Sequence, residues 1–181
     1  MRNIVYYVAT SLDGFISGPD GDISGFTASG NGVDQYLNDL QKYDTVIMGR
    51  TTYEFGYKFG MKPGDLAYPH MEHYIFSDNL KIETKDKSLH LRNLNLDHIF
   101  ELRNQKGPDI YLCGGGQFAG WLLENEQITH LKLKLNPFIA GKGVKLFGSS
   151  TKFYKTELIS SNLYDDGLQI MTYKLNYQNL R

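Results

Sequence analysis

The chain has 181 residues, of which 41% are apolar and 22% are charged, and its formal net charge is −1. These values are typical of one globular domain, which we predict to span residues 1–181. Because positive and negative charges are nearly balanced, we expect no nucleic-acid partner held by bulk electrostatics. The single cysteine, Cys113, excludes an internal disulfide and a zinc site built on cysteines, and the apolar run at residues 4–9 is too short for a signal peptide or a membrane span, so we expect a cytoplasmic protein with no membrane partner.

Hydrophobic patterning predicts strands and helices along the whole chain. In chain order we predict a buried strand at residues 3–9, a glycine-rich loop at 11–32, a helix at 33–40 with Asn31 as candidate N-cap, a buried strand at 45–48, the start of a helix at 51–56, short strands at 73–76 and 88–91, a helix at 96–103, a buried strand at 110–113, a helix at 117–124, a half-exposed strand at 128–135, and a hairpin of strands 156–163 and 168–175. This order predicts a largely parallel sheet with helices on both faces and an antiparallel C-terminal edge.

Ligands of such sheets bind at the carboxyl ends of the strands, so the segments that follow residues 9, 48 and 113 are the candidate sites. Residues 113–120 read Cys-Gly-Gly-Gly-Gln-Phe-Ala-Gly between a strand and a helix. Glycines let the backbone approach a bulky anion, and a helix N-terminus offers free N–H groups to it. A Rossmann site would need an acidic residue about 20 positions later, and residues 132–136 have none. We predict a phosphate cradle here, and a tight turn with close helix–sheet packing remains an equal alternative.

Two further segments have the same character. Residues 48–54 read Met-Gly-Arg-Thr-Thr-Tyr-Glu, in which the threonines are suited to cap the helix or hold a phosphate and the arginine to grip a phosphate monoester. A capped helix with a surface arginine is the alternative. Residues 9–16 leave the first strand without entering a helix, and their backbone is suited to orient a planar amide. At one sheet edge, two phosphate sites and one site for a flat ring predict a bound dinucleotide.

Together these motifs resemble dihydrofolate reductase: Ser-Leu-Asp-Gly-Phe-Ile at 11–16, Val-Ile-Met-Gly-Arg-Thr-Thr-Tyr-Glu at 46–54 and Gly-Gly-Gly at 114–116. The stretch Asn-Pro-Phe-Ile-Ala-Gly-Lys-Gly at 136–143 is more similar to the C-terminal reductase domain of the bifunctional riboflavin-biosynthesis deaminase-reductase and its stand-alone relatives. The resemblance covers nearly the whole chain. It implies an α/β fold of the dihydrofolate reductase type, a three-layer α/β/α sandwich whose mostly parallel central sheet has about eight strands and an antiparallel C-terminal hairpin.

The resemblance also implies an NADPH-dependent reductase and assigns roles by position. By that resemblance, Ala9 and Ile16 would hold the nicotinamide carboxamide through their backbone, Arg50 would favour NADPH over NADH, and the Gly114–Gly115 peptide would be cis. The implied cofactor-binding set is Ala9, Ile16, Gly49, Arg50, Thr51, Thr52, Ser77, Gly114, Gly115, Gly116, Gln117 and Phe118. The expected substrate-side set is Phe15, Tyr36, Leu37, Tyr53 and Phe138.

The family's acid is the hardest residue to place. Dihydrofolate reductase carries one carboxylate near the start of its first helix, and Asp34 lies at about the corresponding distance before Gly49. Burial in an apolar pocket would raise its pKa, as a catalytic acid requires. The alternative is an aspartate that only favours the helix dipole. The segment 17–33 lacks tryptophan, which weakens the folate interpretation.

We therefore expect an NADPH-dependent oxidoreductase that passes a hydride to a C=N or C=O bond of a small heterocyclic or ribosylamino substrate, closest to 5-amino-6-(5-phosphoribosylamino)uracil reductase. Dihydrofolate reduction is the enzymatic alternative, and a non-catalytic NADPH- or nucleotide-binding module is the alternative of another class. We expect no metal, because His70 and His73 lack a third ligand nearby and Asn31 stands where a calcium loop begun at Asp20 needs glutamate. Strand 128–135 and the C-terminal hairpin predict the surface of a homodimer.

Overall fold

Strands and helices alternate through most of the chain, in a computed structural model that describes residues 1–83 and 86–177. The strands are β1 (Ile4–Thr10), β2 (Phe15–Ser17), β3 (Thr45–Gly49), β4 (Glu72–Phe76), β5 (Leu89–Arg92), β6 (Ile110–Gly114), β7 (His130–Leu135), β8 (Val144–Lys145), β9 (Lys155–Leu163) and β10 (Gln169–Asn176). The α-helices are α1 (Asn31–Leu40), α2 (Arg50–Phe55), α3 (Leu96–Asn104) and α4 (Gly116–Glu124). The predicted domain limits, 1–181, extend beyond the described residues.

Eight strands form one sheet in the order β5-β4-β3-β6-β1-β7-β10-β9. The six strands from β5 to β7 in this order pair in parallel, and β10 and β9 add antiparallel pairs at one edge. The predicted α/β class, the mostly parallel sheet and the antiparallel C-terminal hairpin are confirmed.

Helices cover the central part of the sheet on both faces. Alternate residues of β1 point to opposite sides, so Tyr7 packs in a cluster with Leu40 of α1, whereas Tyr6 packs in a cluster with Leu122 of α4. Helix α2 lies on the α1 face and α3 on the α4 face. The buried cores are therefore two, one on each side of the sheet.

Two sequence predictions about the first loop and helix were wrong in detail. The loop predicted at 11–32 contains β2, which pairs antiparallel with β8 at residues 144–145. The prediction missed both strands because two or three residues are too few to show a periodic pattern. The N-cap of α1 is Gly30, without a side-chain hydrogen bond, and not Asn31. The side chain of Asn31 instead donates to Asp165 Oδ2 at 2.9 Å, in the turn of the C-terminal hairpin.

The described helices are short relative to a bilayer. Within residues 1–83 and 86–177, no helix is both long and apolar enough to cross a membrane.

Candidate functional site

The central strand β1 is open on one side at its carboxyl end. Its register with β6 ends at Tyr6↔Leu112, whereas β7 accompanies it as far as Thr10↔Leu135. Residues 8–9 are partly exposed, although the first four residues of this strand are buried. A cleft thus begins at the edge where α/β sheets bind their ligands.

The β3–α2 turn and the β6–α4 turn meet beside this opening. A Cβ placed on Gly115 would lie 2.8 Å from Thr52 Oγ1, and one placed on Gly49 would lie 3.1 Å from Phe118 Cβ. Both glycines are thus in close contact with the opposite turn, and the lack of a side chain at each is what lets the two turns meet. The structure therefore brings together the two segments that were predicted for phosphates.

The first turn of α4 lies at this meeting point. Its N-cap is Gly115, and Ala119 N donates to Gly115 O at 2.9 Å. The N–H groups ahead of Ala119, those of Gly116, Gln117 and Phe118, lack intrahelical acceptors and give the helix end positive potential. The Phe118 ring is buried, so only its backbone can face a ligand. The peptide between Gly114 and Gly115 is cis, as the resemblance implies.

Gly116, the third glycine of the run, contacts a different part of the chain from Gly115, the second. A Cβ on Gly116 would lie 2.2 Å from the carbonyl oxygen of Lys145, and one on Gly120 would lie 2.4 Å from that of Phe147. The segment 145–147 thus crosses α4 in close backbone contact. Close packing therefore explains why no side chain is tolerated at Gly116 and Gly120, and the phosphate cradle stays a prediction for Gly115 and for the N–H groups.

The β3–α2 turn carries the arginine that was assigned to phosphate. Arg50 Nε donates to Glu54 Oε2 at 3.0 Å, one turn later on α2, and both side chains are exposed or partly exposed. The predicted capping role of the threonines was wrong, because Gly49 is the N-cap and makes no side-chain cap. Thr51 is exposed and Thr52 partly exposed within the first turn.

Ser77 follows β4 at the same sheet edge. Its N–H donates to Arg92 O at 2.8 Å, and its hydroxyl accepts from Asn79 N and Leu80 N at 3.1 and 3.0 Å. Arg92 lies over the Tyr74 ring, 5.6 Å from its centroid. The edge beyond the phosphate turns therefore continues with a hydroxyl and a second guanidinium group.

Backbone groups of Ala9 face the open side of β1. Asn3 O accepts from Ile110 N of β6, and Ile4 O accepts from Thr129 N on the β7 side. In a parallel strand the direction alternates from one residue to the next, so odd-numbered residues of β1 face β6. Ala9 thus presents its N–H and C=O where β6 no longer pairs, as a site for a planar carboxamide requires.

Ile16 lies at an irregular point of the small sheet. β2 pairs with β8 at Phe15↔Lys145 and Ser17↔Val144, and the register shifts between these two pairs. The shift leaves the backbone of Ile16 outside the regular ladder. Its predicted contact with the carboxamide stays a prediction.

The side that was predicted for the substrate carries hydroxyl groups on the α1 face of the sheet. Tyr36 Oη lies 2.8 Å from Tyr111 Oη, and Tyr68 Oη lies 3.5 Å from Cys113 Sγ. Burial raises the pKa of Tyr36 to about 12 and raises the pKa of the Cys113 thiol. These groups stay protonated near neutral pH, so they are suited to hydrogen bonding and not to nucleophilic attack.

The other residues predicted for the substrate side fall in different places. Phe15 is partly exposed on β2, and Phe138 packs edge-on against Phe26, with ring centroids 5.0 Å apart. Tyr53 is 1% exposed and its hydroxyl donates to a backbone carbonyl, so its ring belongs to the core beneath α2. Leu37 is 52% exposed on the outer side of α1.

Asp34 does not have the surroundings that were expected of an acid. It is exposed, in the first turn of α1, and it lies one turn before exposed Leu37, whereas Tyr36 between them turns toward the sheet. A helix presents a different face every residue, and the sequence pattern did not fix which face carries Asp34. The prediction that Asp34 is a buried carboxylate was wrong. Its position agrees with the alternative, an aspartate in the first turn whose charge favours the helix dipole.

Sequence reasoning gave no role to Asp13, which fastens two loops together at the cleft. Its carboxylate accepts from Ser11 Oγ at 2.6 Å, Ala140 N at 3.0 Å and Gly141 N at 2.8 Å. These bonds, the one from Ser11 foremost, lower the pKa of Asp13 to about 2. Its place in the Ser-Leu-Asp-Gly motif was the available signal.

Sequence reasoning also missed Asn136 and Lys134. Asn136 is fully buried; its Nδ2 donates to the carbonyls of Thr10 and Lys134, and its Oδ1 accepts from Thr27 N at 2.9 Å. It therefore fixes the long loop over the carboxyl ends of β1 and β7. Asn136 begins the motif at 136–143, but the contacts that Asn136 and Lys134 make with the strand end and the long loop join positions more than 100 residues apart, so the sequence alone gave neither residue a role.

No metal centre accompanies these groups in the part of the chain that is described, since no three His, Cys, Asp or Glu side chains there are grouped to hold an ion.

The family model described as the RibD C-terminal domain matches residues 2–170. A protein from Shewanella sp. PV-4 named for riboflavin biosynthesis has a similar structure, with a TM-score of 0.80, 24% identity and coverage of 97% of this chain and 99% of that one. A deaminase/5-amino-6-(5-phosphoribosylamino)uracil reductase from Thermotoga maritima gives 0.71, with 14% identity over 97% of this chain and 57% of that one. A dihydrofolate reductase from Enterococcus faecalis, complexed with NADP(H), gives 0.65, with 14% identity and 96% coverage of both chains. At these identities the similar structures establish the shared fold.

Proposed function

We propose that this chain, which belongs to the RibD C-terminal domain family, is an NADPH-dependent reductase of a small heterocyclic or ribosylamino substrate. The observation that carries the proposal is the contact of the two glycine turns. Gly49 and Gly115 each pack so closely against the opposite turn that an added Cβ would crowd it, and the N-terminus of α4 lies at the same place. Free N–H groups at a helix N-terminus suit a pyrophosphate, and NADP(H) is bound by the dihydrofolate reductase of the same fold.

Different residues of the site would bind different parts of the cofactor. The N–H groups of the first turn of α4 would bind the pyrophosphate, and Arg50 with Thr51 and Thr52 would bind the adenosine-side phosphates. Ala9 and Ile16 would hold the carboxamide through their backbone. When bound, the cofactor supplies a hydride to the substrate, and the protein contributes orientation and an enclosed pocket.

The substrate then lies on the α1 face, among the buried hydroxyls of Tyr36, Tyr68 and Tyr111. Neutral hydroxyl donors suit the carbonyl and amino groups of a pyrimidine ring. Reduction of 5-amino-6-(5-phosphoribosylamino)uracil is the activity we propose first, because a protein of the same fold carries it in its name. Dihydrofolate is the weaker candidate substrate, because the residue that would act as its proton donor, Asp34, is exposed and not buried.

Binding and turnover test the proposal separately. NADPH and NADH are titrated at fixed salt by nucleotide fluorescence, and oxidation of NADPH is then followed with each of the two substrates. We expect NADPH to bind more tightly than NADH and the uracil substrate to oxidise it. Binding without oxidation by either substrate would favour the non-catalytic nucleotide-binding module. Absence of binding by both cofactors would leave the glycine turns as architecture and remove the reductase proposal.

We also propose a homodimer, with β9 as its surface. Of the two segments predicted for this role, the strand at 128–135 lies inside the sheet between β1 and β10 and has no free edge, whereas the C-terminal hairpin includes β9. β9 is the edge strand, and all nine of its residues are exposed, including Leu158 at 55%, Ile159 at 54% and Leu163 at 73%. An exposed apolar edge favours pairing with a second chain. Sedimentation should give a dimer that Ile159→Lys weakens; a monomer for the unaltered protein would refute the proposal.

A further inference from the structure

We propose that Lys134 is the proton donor of the reduction, placed in the wall of the cleft to protonate the nitrogen or oxygen of the bond that receives the hydride. This inference rests on the reductase function proposed above. It replaces Asp34, whose exposed position on α1 does not suit the role.

Lys134 lies on β7 beside the open end of the central strand. It is in register with Ala9 of β1 on one side and Ile170 of β10 on the other. Lys132, two residues earlier and hence on the same face, lies over the ring of Tyr7, which packs on the α1 side. Lys134 therefore shares the α1 face with the substrate hydroxyls. Its neighbour in register, Ala9, contributes only a methyl group, which leaves room between the lysine and the opening.

The ammonium group of Lys134 is buried with few polar contacts. The residue is 8% exposed, its Nζ donates to Thr27 O at 3.3 Å, and Nζ lies 5.3 Å from the centroid of the Tyr36 ring. Among residues 1–83 and 86–177, no carboxylate oxygen lies within 4.0 Å of this nitrogen. A buried cation with one long hydrogen bond to a carbonyl retains two N–H groups for a ligand.

Lys132 provides an internal comparison on the same strand and face. Its Nζ lies 2.5 Å from Oδ2 of Asp39, a buried carboxylate that also accepts from Lys42 at 2.7 Å. Lys132 is therefore neutralised by the fold, whereas Lys134 is not. A buried, unneutralised charge destabilises a protein, and such groups persist mostly where they serve a ligand.

The surroundings of Lys134 also suit proton release. Tyr36 faces it from α1, Lys132 from its own strand and Tyr7 from β1, while β10 offers Ile170 and the long loop offers the Thr27 carbonyl. Burial lowers the pKa of Lys134 from its ordinary value. An amine of lowered pKa gives up its proton more readily than an exposed lysine does, so it is a better general acid near neutral pH.

The proton step balances with the hydride step. Hydride addition forms a C–H bond at the carbon of a C=N or C=O group, and the π electron pair moves to the nitrogen or oxygen. That atom forms a bond to a proton as an N–H bond of Lys134 breaks. The amine is left neutral, the substrate is reduced, the nicotinamide is oxidised, and water returns the proton to Lys134.

The principal experiment compares Lys134→Met with Lys132→Met in the intact protein. We expect Lys134→Met to reduce kcat by about a hundredfold or more, as for loss of a general acid, with the Kd for NADPH unchanged within twofold. Its urea midpoint should equal or exceed that of the unaltered protein, because an unneutralised charge is removed. Lys132→Met should lower the urea midpoint, because it strips Asp39 of its principal partner, and leave kcat within threefold. A lower midpoint for Lys134→Met, or kcat within threefold of the unaltered enzyme, would overturn the proposal.

A second variant separates proton donation from charge alone. Lys134→Arg keeps a cation that does not release its proton near neutral pH. We expect its kcat to stay low, and we expect kcat of the unaltered enzyme to fall as the pH rises through the pKa of Lys134. Recovery of more than half of kcat by arginine would refute the donor role.

A measurement independent of turnover keeps this inference distinct from the proposed function. In the NADPH complex, NMR titration of 13Cε-labelled lysines should give Lys134 a pKa below the ordinary value of a lysine side chain, with its signal assigned through Lys134→Met. A pKa for Lys134 at or above that ordinary value would overturn the inference even if the protein reduces neither substrate. Absence of NADPH binding would instead refute the reductase function.

Discussion

Two parts of the cleft hold positive charge by opposite means: the proposed cofactor half, at the β3–α2 and β6–α4 turns, and the proposed substrate half, on the α1 face around Tyr36 and Lys134. On the cofactor half, Arg50 is exposed and pairs with Glu54 at 3.0 Å, in a turn that contacts the first turn of α4 through Gly49 and Thr52. On the substrate half, the Lys134 ammonium is buried beneath the long loop, with a carbonyl as its hydrogen-bond partner. Water screens the first charge and hardly screens the second. The comparison indicates one half suited to gripping a highly charged ligand and another suited to a proton transfer.

The largest loss of stability is expected from a substitution in the packing that supports the cofactor half. Gly116→Ala would place a Cβ 2.2 Å from the backbone carbonyl of Lys145, which cannot rotate away. Overpacking of this kind destabilises by roughly 1–3 kcal/mol, which urea unfolding would measure. The matched change, Gly115→Ala, meets the Thr52 hydroxyl at 2.8 Å. We expect it to weaken NADPH binding about tenfold or more, in line with the loss of a charge-assisted hydrogen bond, and to destabilise less than Gly116→Ala.

A double-mutant cycle checks that the two turns form one site. If Gly115→Ala acts by displacing Thr52, its effect on NADPH affinity and that of Thr52→Ala will be less than additive. Strict additivity would mean that the two turns bind separate ligands or none. Equal destabilisation by both glycine substitutions would show that Gly115, like Gly116, serves packing alone.

The two halves also differ in how far they could be predicted. Each glycine turn is a contiguous motif between a strand and a helix, so its residues and its place at the sheet edge follow from local patterning. Lys134 belongs to an alternating Leu-Lys pattern that predicts solvent on the lysine face. It is buried because α1 and the long loop cover that face, and Asn136 holds the loop there through Thr27. Such contacts join distant positions, and no periodicity reveals them.

A smaller effect, on NADPH affinity, is expected from substitutions of Arg50 and Glu54 in the cofactor half. Arg50→Gln should weaken NADPH binding roughly tenfold, since a charge-assisted hydrogen bond to phosphate contributes about 1.5–3 kcal/mol, and should change NADH binding little. Glu54→Gln should tighten NADPH binding by about twofold, as expected of an exposed ion pair, because it releases Arg50. Nucleotide fluorescence titrations measure both. An equal loss for NADPH and NADH in Arg50→Gln would remove the arginine from the extra phosphate.

The substrate half should respond to acid more than the cofactor half. Buried His73 accepts from Tyr68 N at Nε2 and donates to Met71 O at Nδ1, so it is neutral, and burial lowers the pKa of its imidazole. The unfolded chain then binds more protons, so stability is greatest above the unfolded pKa near 6.5 and decreases as the pH falls below it, by up to about 1.4 kcal/mol for each pKa unit of lowering.

Urea unfolding between pH 7.5 and 5 measures this dependence. His73→Gln removes the titrating ring, so its stability should vary less with pH than that of the unaltered protein. Because His73 positions Tyr68, whose hydroxyl lies 3.5 Å from Cys113 Sγ, acid should also raise KM for the substrate before it changes NADPH affinity. An identical pH dependence in the variant would assign the acid sensitivity to other groups.

The smallest effect is expected at Asp34, and it decides between the two candidate acids. In the first turn of α1 its charge favours the helix dipole, so Asp34→Asn should cost about 0.3–1 kcal/mol of stability and leave kcat within twofold. The exposed carboxylate is on the outer side of the helix, whereas Tyr36 and Lys134 meet on the inner side. A fall in kcat of tenfold or more would place the acid on α1 after all. It would also mean that α1 rotates or shifts when the ligands bind, because the observed orientation keeps Asp34 away from the hydroxyls that line the substrate side.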